Sequence, residues 1–588
     1  MANVADNNGG HDAVAHPKRL CVLKFGSSVL EREEDYPRVV QEIFRHVRDG
    51  EKVVAVVSAL AGQTDALLAQ GERVGGAGAP ETLVARLARV GELHSAALLA
   101  LALSKAGLRA VTLDPHEMGL VAKGSPLDSD LSDVDSDAVW RQIAANDVVV
   151  VPGFFADHAD HGVVLLGRGG TDLSAVFFAD RLGAHRVRLI KDVDGVYEAD
   201  PARDARALRY SSMSYAEAER ASSGLIQPKA IRAADEKDVL VEIAALGSSE
   251  ATTIARLPAE LSQPVKPAKL KVALLGCGAV GAGVLALLRD RPDLFDVGPV
   301  LVRDPAKHDE NAVFTDRFEE AVADSPDILV ELIGGVDLAA EALHQSLVQG
   351  AQVVTANKAA VAKHWDSLHA SAARHGGELR FSGAVGGGAP VLETVRRLPG
   401  RVVAVEGVMN GTCNYLLSRL AEGEAFDAAV AEAQRLGFAE ADPSADVDGH
   451  DAADKLSILV REAFGVALSP QWIDKDSLRD LAPGAAAEAL ARGEVLKQVG
   501  SCCLRPDGSV DAEVRIVSLP AAHPLAAARN EENRFLVTDA DGKVHDVFGK
   551  GAGRWPTATA VFADIMDAQR ALLGSEPAPA ADAAKMRA

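Results

Sequence analysis

No run of about 18 apolar residues stands out in this chain, so no segment reads as a bilayer-spanning helix. Positive charge is also short. Lys and Arg number 61 against 84 Asp and Glu, and the formal net charge of −23 argues against nucleic acid as the main partner. Cysteine is sparse: Cys21, Cys277, Cys413, Cys502 and Cys503 show neither metal-ligand spacing nor a disulfide framework. Residues 1–18 are polar, carry His11 and His16, and lack the apolar centre of a signal peptide; they read as a disordered tail. These absences leave a cytoplasmic protein with no membrane partner as the expectation. At 588 residues the chain exceeds one core, and about two to four domains follow.

What is present is organised around the middle of the chain. Val272-Ala273-Leu274-Leu275 is a short apolar run suited to a strand buried on both faces. Gly276-Cys277-Gly278-Ala279-Val280-Gly281 follows at once and opens a helical run from Val284 to Leu288. G-x-G-x-x-G between strand and helix turns the chain tightly, admits a pyrophosphate to the backbone and aims a helix N-terminus at it. A second strand over Val297 to Val302 ends at Arg303-Asp304, where the adenosine ribose of a dinucleotide would lie. Arg303, with Lys307 nearby, favours the 2′-phosphate of NADP(H); Asp304 leaves NAD(H) open. Strands ending at Gly334-Gly335 and at Thr355-Ala356-Asn357-Lys358 continue a parallel, doubly wound pattern.

Before this unit, LCVLKFGSSVL runs from a strand into Lys24, Gly26, Ser27 and Ser28. A lysine at a strand end beside a glycine turn can hold a phosphate, and an exposed lysine before a turn fits this segment equally well. Gly167-Arg168-Gly169-Gly170-Thr171-Asp172 is a glycine loop that opens a helix and can bind an anion through backbone amides. Lys191-Asp192-Val193-Asp194-Gly195-Val196-Tyr197 places two carboxylates at a strand end, suited to nucleotide or Mg²⁺ contacts or to plain turn chemistry.

KFG with nearby Ser, VSALAGQT, GELHSAAL, GRGGTD, KDVDGVYEADP and QPKAI, in this order over Leu20 to Ile254, resemble the aspartate kinases of the amino-acid kinase family. The resemblance implies that Lys24 and Lys229 face ATP phosphates, and that Gly26, Ser27, Asp192, Asp194 and Tyr197 lie at the nucleotide. It sets Thr64, Glu92, Arg168, Thr171 and Asp172 around L-aspartate, with Asp172 also shaping the reaction centre. ATP with Mg²⁺ is the implied co-substrate. Ser27 stands in a glycine-and-threonine segment of the family, KFGSSVL is closer to the opening of glutamate 5-kinase, and Lys191 replaces the usual threonine.

In the second half Asp451 and Lys455 lie four apart, one helix face if the segment is helical, and a surface ion pair is the plain reading. GCGAVG, VELIGG, TANKA, AVGGGAP, MNGTCNY, GFAEADPSADVDGHDAADK and GKGAGRWPTATAV, from Lys269 to about Leu573, resemble homoserine dehydrogenase. That resemblance gives Lys455 proton transfer and sets Lys358 close to nicotinamide and substrate. Glu440 holds the substrate ammonium, with Asp446 and Asp451 around it. The family's Na⁺ or K⁺ site uses carbonyls matching Val385, Gly387 and Ala389; Ser382 stands for its carboxylate, and Lys550 for a proline near the cofactor.

The expected organisation is a tail at 1–18, an aspartate-kinase-like α/β sandwich at 19–256 and a linker at 257–268. A Rossmann domain at 269–398 and an α+β catalytic and dimerisation domain at 399–550 follow, then a helix at 551–573 returning to the cofactor domain and a disordered tail at 574–588. Neither the linker nor the tail has room for the paired ACT domains usual in such kinases. The expected chemistry is phosphorylation of L-aspartate and interconversion of L-aspartate 4-semialdehyde with L-homoserine, in a homodimer or homotetramer. The alternative keeps only the dehydrogenase active, with the kinase-like half a ligand-binding or dimerising module.

Overall fold

The computed structural model describes residues 19–263 and 269–574 apart from 77, 202, 205, 223, 309–311, 437 and 552. The expected tails, and the end of the expected linker, lie outside those residues except for Gly574. Two compact units emerge: one of residues 1–36, 50–100 and 110–264, the other of 37–49, 101–109 and 265–588.

Unit 1 is built on valine-rich strands buried on both faces. Leu20–Phe25 pairs in parallel with Lys52–Val57 on one side and with Arg186–Lys191 on the other. Val148–Pro152 and Val241–Ala245 extend the sheet in parallel, and nine strands take part. The helix Gly170–Leu182 packs on the central strands. A separate four-stranded sheet includes Asp128–Asp133. The first part of the expected linker is not a linker. Glu260–Ser262 pairs antiparallel with Arg209–Met213 at the edge of the large sheet. An edge strand tolerates the nearby Pro258, which cannot donate to a ladder.

Unit 2 contains two sheets. In the first, Phe314–Thr315, Val300–Leu301, Leu270–Leu275, Ile328–Glu331, Gln352–Thr355 and Leu379–Arg380 lie side by side and all parallel. The expected single strand over Val297 to Val302 is two pieces, Phe295–Val297 and Val300–Leu301, both paired to Leu270–Leu275. Gly298-Pro299 interrupts it, since proline supplies no ladder donor. The second sheet carries Val402–Val408 between the antiparallel strands Glu494–Leu504 and Glu532–Asp539. The helix Arg554–Leu572 packs on Ala279–Arg289, with Phe562 edge-on to Phe295 at 6.1 Å.

Among the described residues one helix, Glu81–Lys105, is long and apolar enough to cross a membrane by length and composition. Ala85, Ala88, Ala96, Leu99 and Leu103 along it are buried, as is the ionisable Glu92.

Unit 2 also encloses Arg48, which the sequence reading passed over. Its guanidinium bonds Glu393 at 2.9 Å, Asp567 at 2.6 Å and Ser382 Oγ at 2.8 Å, and also Asp564. Burial works against charge on all three carboxylates. Arg48 outweighs it at Asp567 and Glu393, whose pKa values are lowered, but not at Asp564, which is raised. Removing one partner from a buried ion cluster leaves the others uncompensated. Arg48→Met should therefore lower the stability of this unit by about 3–5 kcal/mol, read by denaturant unfolding monitored at Trp365 and Trp555. A midpoint equal to wild type would show that the cluster contributes nothing net.

Candidate active sites

The dinucleotide cradle is made by glycines with distinct jobs. Gly276 leaves its strand at φ +100°, and a Cβ there would sit 2.4 Å from the Leu332 carbonyl oxygen. A Cβ on Gly281 would lie 2.1 Å from the Gly276 carbonyl oxygen, so only glycine lets the helix Ala279–Arg289 close on the strand. A Cβ on Gly278, the N-cap, would meet nothing within 4 Å, which leaves backbone open to a pyrophosphate where the N–H groups of Ala279 and Val280 begin the helix. A dinucleotide fits this cradle. Arg303 is exposed at the following strand end. Asp304 is already engaged, accepting the Ala306 N–H at 3.2 Å and lying 3.3 Å from Lys307 Nζ.

Lys358 is placed by a chain of bonds that starts in the core. Buried Glu331 accepts the Thr355 hydroxyl at 2.5 Å; Thr355 Oγ1 accepts the Asn357 N–H at 2.9 Å. Asn357 then caps the helix Lys358–His375 through the Ala360 N–H, so Lys358 is its first residue. From there Lys358 Nζ lies 3.0 Å from Asp451 Oδ1. Lys455 Nζ approaches the other oxygen, Oδ2, at 2.6 Å and donates to the Met409 carbonyl at 2.8 Å. The helix His450–Phe464 brings Asp451 and Lys455 to one face, and Asp451 is buried, so this is no surface pair. Burial opposes the charge of Asp451, yet the ammoniums of Lys455 and Lys358 outweigh it and hold the carboxyl far below the usual range. Asp451 in turn raises the Lys358 ammonium above its ordinary value.

Asn410 was not singled out from sequence. Its Nδ2 donates to Asp446 at 2.6 Å and to Asp451 at 2.7 Å, while its Oδ1 caps the helix Gly411–Ala421 through the Cys413 N–H at 2.8 Å. An asparagine directly before a helix was the available signal. Burial and the nearby Asp451 push the Asp446 carboxyl up. Glu440 is exposed on the loop after Phe426–Leu436; its carbonyl accepts Gln434 at 3.0 Å, and among the described residues no hydrogen bond or ion pair joins its carboxylate to the lysine cluster.

Val385 and Ala389 are buried, and Gly386 and Gly387 between them turn at φ +83° and +62°. Ser382, however, gives its N–H and hydroxyl to Asp564, each at 2.8 Å, and accepts Arg48. The side chain standing for an anionic cation ligand is thus neutral and occupied. A Na⁺ or K⁺ here would rest on the backbone carbonyls of Val385, Gly387 and Ala389, without a carboxylate from position 382. Lys550 pairs with Glu531 at 3.1 Å, and its carbonyl accepts the Gly388 N–H.

In unit 1, Asp172 stands in the first turn of Gly170–Leu182 and is 4% exposed. Lys24 Nζ is 2.7 Å from its Oδ1 and Lys191 Nζ 3.1 Å from its Oδ2. Burial opposes its charge, but Lys24 and Lys191 hold its carboxyl below the usual range. Lys229, expected with Lys24 at the ATP phosphates, has different partners from Lys24. Lys229 Nζ lies 2.8 Å from Asp130 and 3.3 Å from Asp128, on the other sheet. Thr171 Oγ1 accepts the Ser58 hydroxyl at 3.0 Å. Asp194 accepts the Tyr197 hydroxyl at 2.7 Å; Arg168, Ser27 and Asp192 are exposed, and Thr64 is half-buried in the first turn of Gln63–Gly75. A Cβ on Gly26 would lie 2.6 Å from Lys24 Nζ, so glycine there gives the ammonium its room.

These geometries define a class: a phosphoryl-transfer unit followed by a dinucleotide-dependent oxidoreductase. Residues 19–244 match the amino acid kinase family, 276–382 the NAD-binding domain of homoserine dehydrogenase and 390–566 homoserine dehydrogenase itself. The homoserine dehydrogenase of Synechocystis sp. is 36% identical over 336 residues, which are 53% of this chain and 76% of that protein. That of Lactococcus lactis is 35% identical over 316 residues, 50% of this chain and 73% of that protein. The crystal structure of a homoserine dehydrogenase from Thiobacillus denitrificans superposes with a TM-score of 0.50 at 33% identity, covering 54% of this chain and 76% of that one. The chain belongs to the homoserine dehydrogenase family, with an amino acid kinase family domain fused ahead of it.

Glu92 has a measurable consequence. It is 2% exposed, accepts only a long 3.4 Å bond from the Ala59 N–H, and its Oε2 has no bonding partner among the described residues. Burial pushes its carboxyl from 4.5 up to about 7. A folded pKa above the unfolded one gives stability that is full below pH 4.5 and is lost as pH rises through about 7. Glu92→Gln should therefore unfold at a higher midpoint than wild type at pH 8, by about 3 kcal/mol, and match it near pH 4. Parallel curves across that range would place the Glu92 carboxyl in water.

Proposed function

We propose that this chain phosphorylates L-aspartate to 4-phospho-L-aspartate with ATP and Mg²⁺, and interconverts L-aspartate 4-semialdehyde and L-homoserine with NADP(H). The observation that carries the second activity is the Lys358–Asp451–Lys455 cluster beside a glycine cradle in one unit. NADP(H), when bound, supplies or accepts the hydride at the substrate carbon. Lys455 then handles the proton: its ammonium protonates the substrate oxygen in reduction, and its amine takes the hydroxyl proton in oxidation. Asp451 holds Lys455 toward that oxygen and Lys358 beside it as a fixed positive charge. Asn410 keeps Asp446 and Asp451 at a set separation, and Glu440 is the group we assign to the substrate ammonium. NADP over NAD is supported by exposed Arg303 together with the engagement of Asp304 by Ala306 and Lys307.

In the kinase unit the substrate carboxylate is already an anion and needs no base. Its oxygen forms a bond to the γ-phosphorus as the bond to the β,γ-bridging oxygen breaks and ADP leaves. The protein's task is to bring two anions together and screen them. Asp192 and Asp194 at the strand end suit Mg²⁺ and nucleotide; Glu92, Thr64, Arg168 and Thr171 suit the amino acid. The same reading takes the protein as a cytoplasmic homo-oligomer.

The test measures both activities on the full chain. Aspartate-dependent ADP formation and homoserine-dependent reduction of NADP, faster than of NAD, are expected. Lys455→Ala should lower dehydrogenase turnover by roughly 10²–10⁴-fold while NADP(H) still binds. Homoserine oxidation at the wild-type rate in that variant would remove Lys455 from the mechanism. Absence of ADP formation with both aspartate and glutamate would make the kinase-like unit a binding module.

A further inference from the structure

Lys191 ends the strand Arg186–Lys191, next to the strand that bears Lys24, and both ammoniums close on the two oxygens of one buried carboxylate. Their exposures are 8%, 6% and 4% for Lys191, Lys24 and Asp172. The three charges sum to +1 in a buried place. A structural ion pair has no use for that surplus, because an unmatched buried charge is costly. An arriving anion removes the cost. Asp172 lies in the first turn of Gly170–Leu182, so the positive end of that helix adds to the same field. Burial and the adjacent Lys24 push the Lys191 ammonium below its ordinary pKa, as expected for a cation short of negative charge.

Lys229 is in the opposite condition. It faces two carboxylates, Asp128 and Asp130, and also donates to the Ser129 carbonyl at 3.2 Å. Its charge is more than matched, and Asp128 stands over the glycine loop: a Cβ on Gly167 would lie 2.5 Å from Asp128 Oδ1. Lys229 thus ties the helix Pro228–Lys237 to the strand Asp128–Asp133 rather than standing free for a phosphate.

We propose that Lys191, rather than Lys229, is the partner of Lys24 in contacting the phosphoryl group during transfer, with Asp172 holding the two ammoniums apart at a fixed spacing. This rests on the kinase reading above. One ammonium on each side of the carboxylate gives two cations for the oxygens of the transferring group, in addition to the Mg²⁺ that accompanies ATP.

The test uses the full chain, ATP, Mg²⁺ and L-aspartate, with a fluorescent ATP analogue to read nucleotide binding separately. Lys191→Met should lower kcat for ADP formation by about 10²-fold while analogue affinity changes by less than about threefold, and Lys191→Arg should recover part of the loss. Lys229→Met should act on KM for ATP rather than on kcat. Wild-type kcat in Lys191→Met, or loss of kcat in Lys229→Met alone, overturns the proposal. So does loss of analogue binding in both Lys191 variants, which would mean that the lysine only supports the fold. A wild-type chain that binds the analogue yet makes no ADP with aspartate or glutamate overturns the kinase reading itself, and this proposal with it.

Discussion

Asp451 is buried with an ammonium on each oxygen, and the dehydrogenase unit is arranged to keep it ionised there. Lys455 comes from its own helix one turn on, and Lys358 from the first position of a helix capped by Asn357. Asn410 adds a third donor and shares its amide with Asp446. The stakes are set by burial, since a carboxylate in this place is costly unless paired and hydrogen-bonded, and two lysines supply both. In return the carboxylate fixes two flexible side chains within about 3 Å, which proton transfer to a bound oxygen requires. Unit 1 uses the same device, with Asp172 between Lys24 and Lys191. The difference is the balance. Asp446 stands near the first cluster and offsets its second lysine, whereas the Asp172 cluster keeps a net positive charge suited to a phosphoryl group.

Much of this was legible because some chemistry tolerates only one residue. Gly276 and Gly281 show it: each faces a backbone oxygen that any side chain would strike, so the strand–glycine–helix pattern could be read without coordinates. Asp451 and Lys455 were legible as one helix face through their spacing alone. The kinase-like segment announced itself by motifs in order, and their fold followed.

What stayed hidden depends on partners distant in sequence. Arg48 and Glu393 lie 345 residues apart and no local pattern links them. Lys191 appeared as a departure from a motif; its place on Asp172 needed two adjacent strands and a helix to be assembled. Asn410 directly precedes a helix, which signals a cap and nothing more; its bonds to two carboxylates appear only when the helix His450–Phe464 is set beside it. The edge strand Glu260–Ser262 was concealed by its prolines, which read as a linker because edge and linker tolerate the same residues.

The central claim is that an ionised Asp451 holds the proton-transferring lysine in place. Replacing it by Asn keeps the shape and one acceptor but removes the charge between the two ammoniums. Single-turnover oxidation of homoserine by Asp451→Asn, at saturating NADP and at a temperature well below its unfolding midpoint, is the most direct measurement. The account predicts a rate lower by about 10²-fold or more, with NADP affinity retained. A hydride-transfer rate equal to wild type would contradict it.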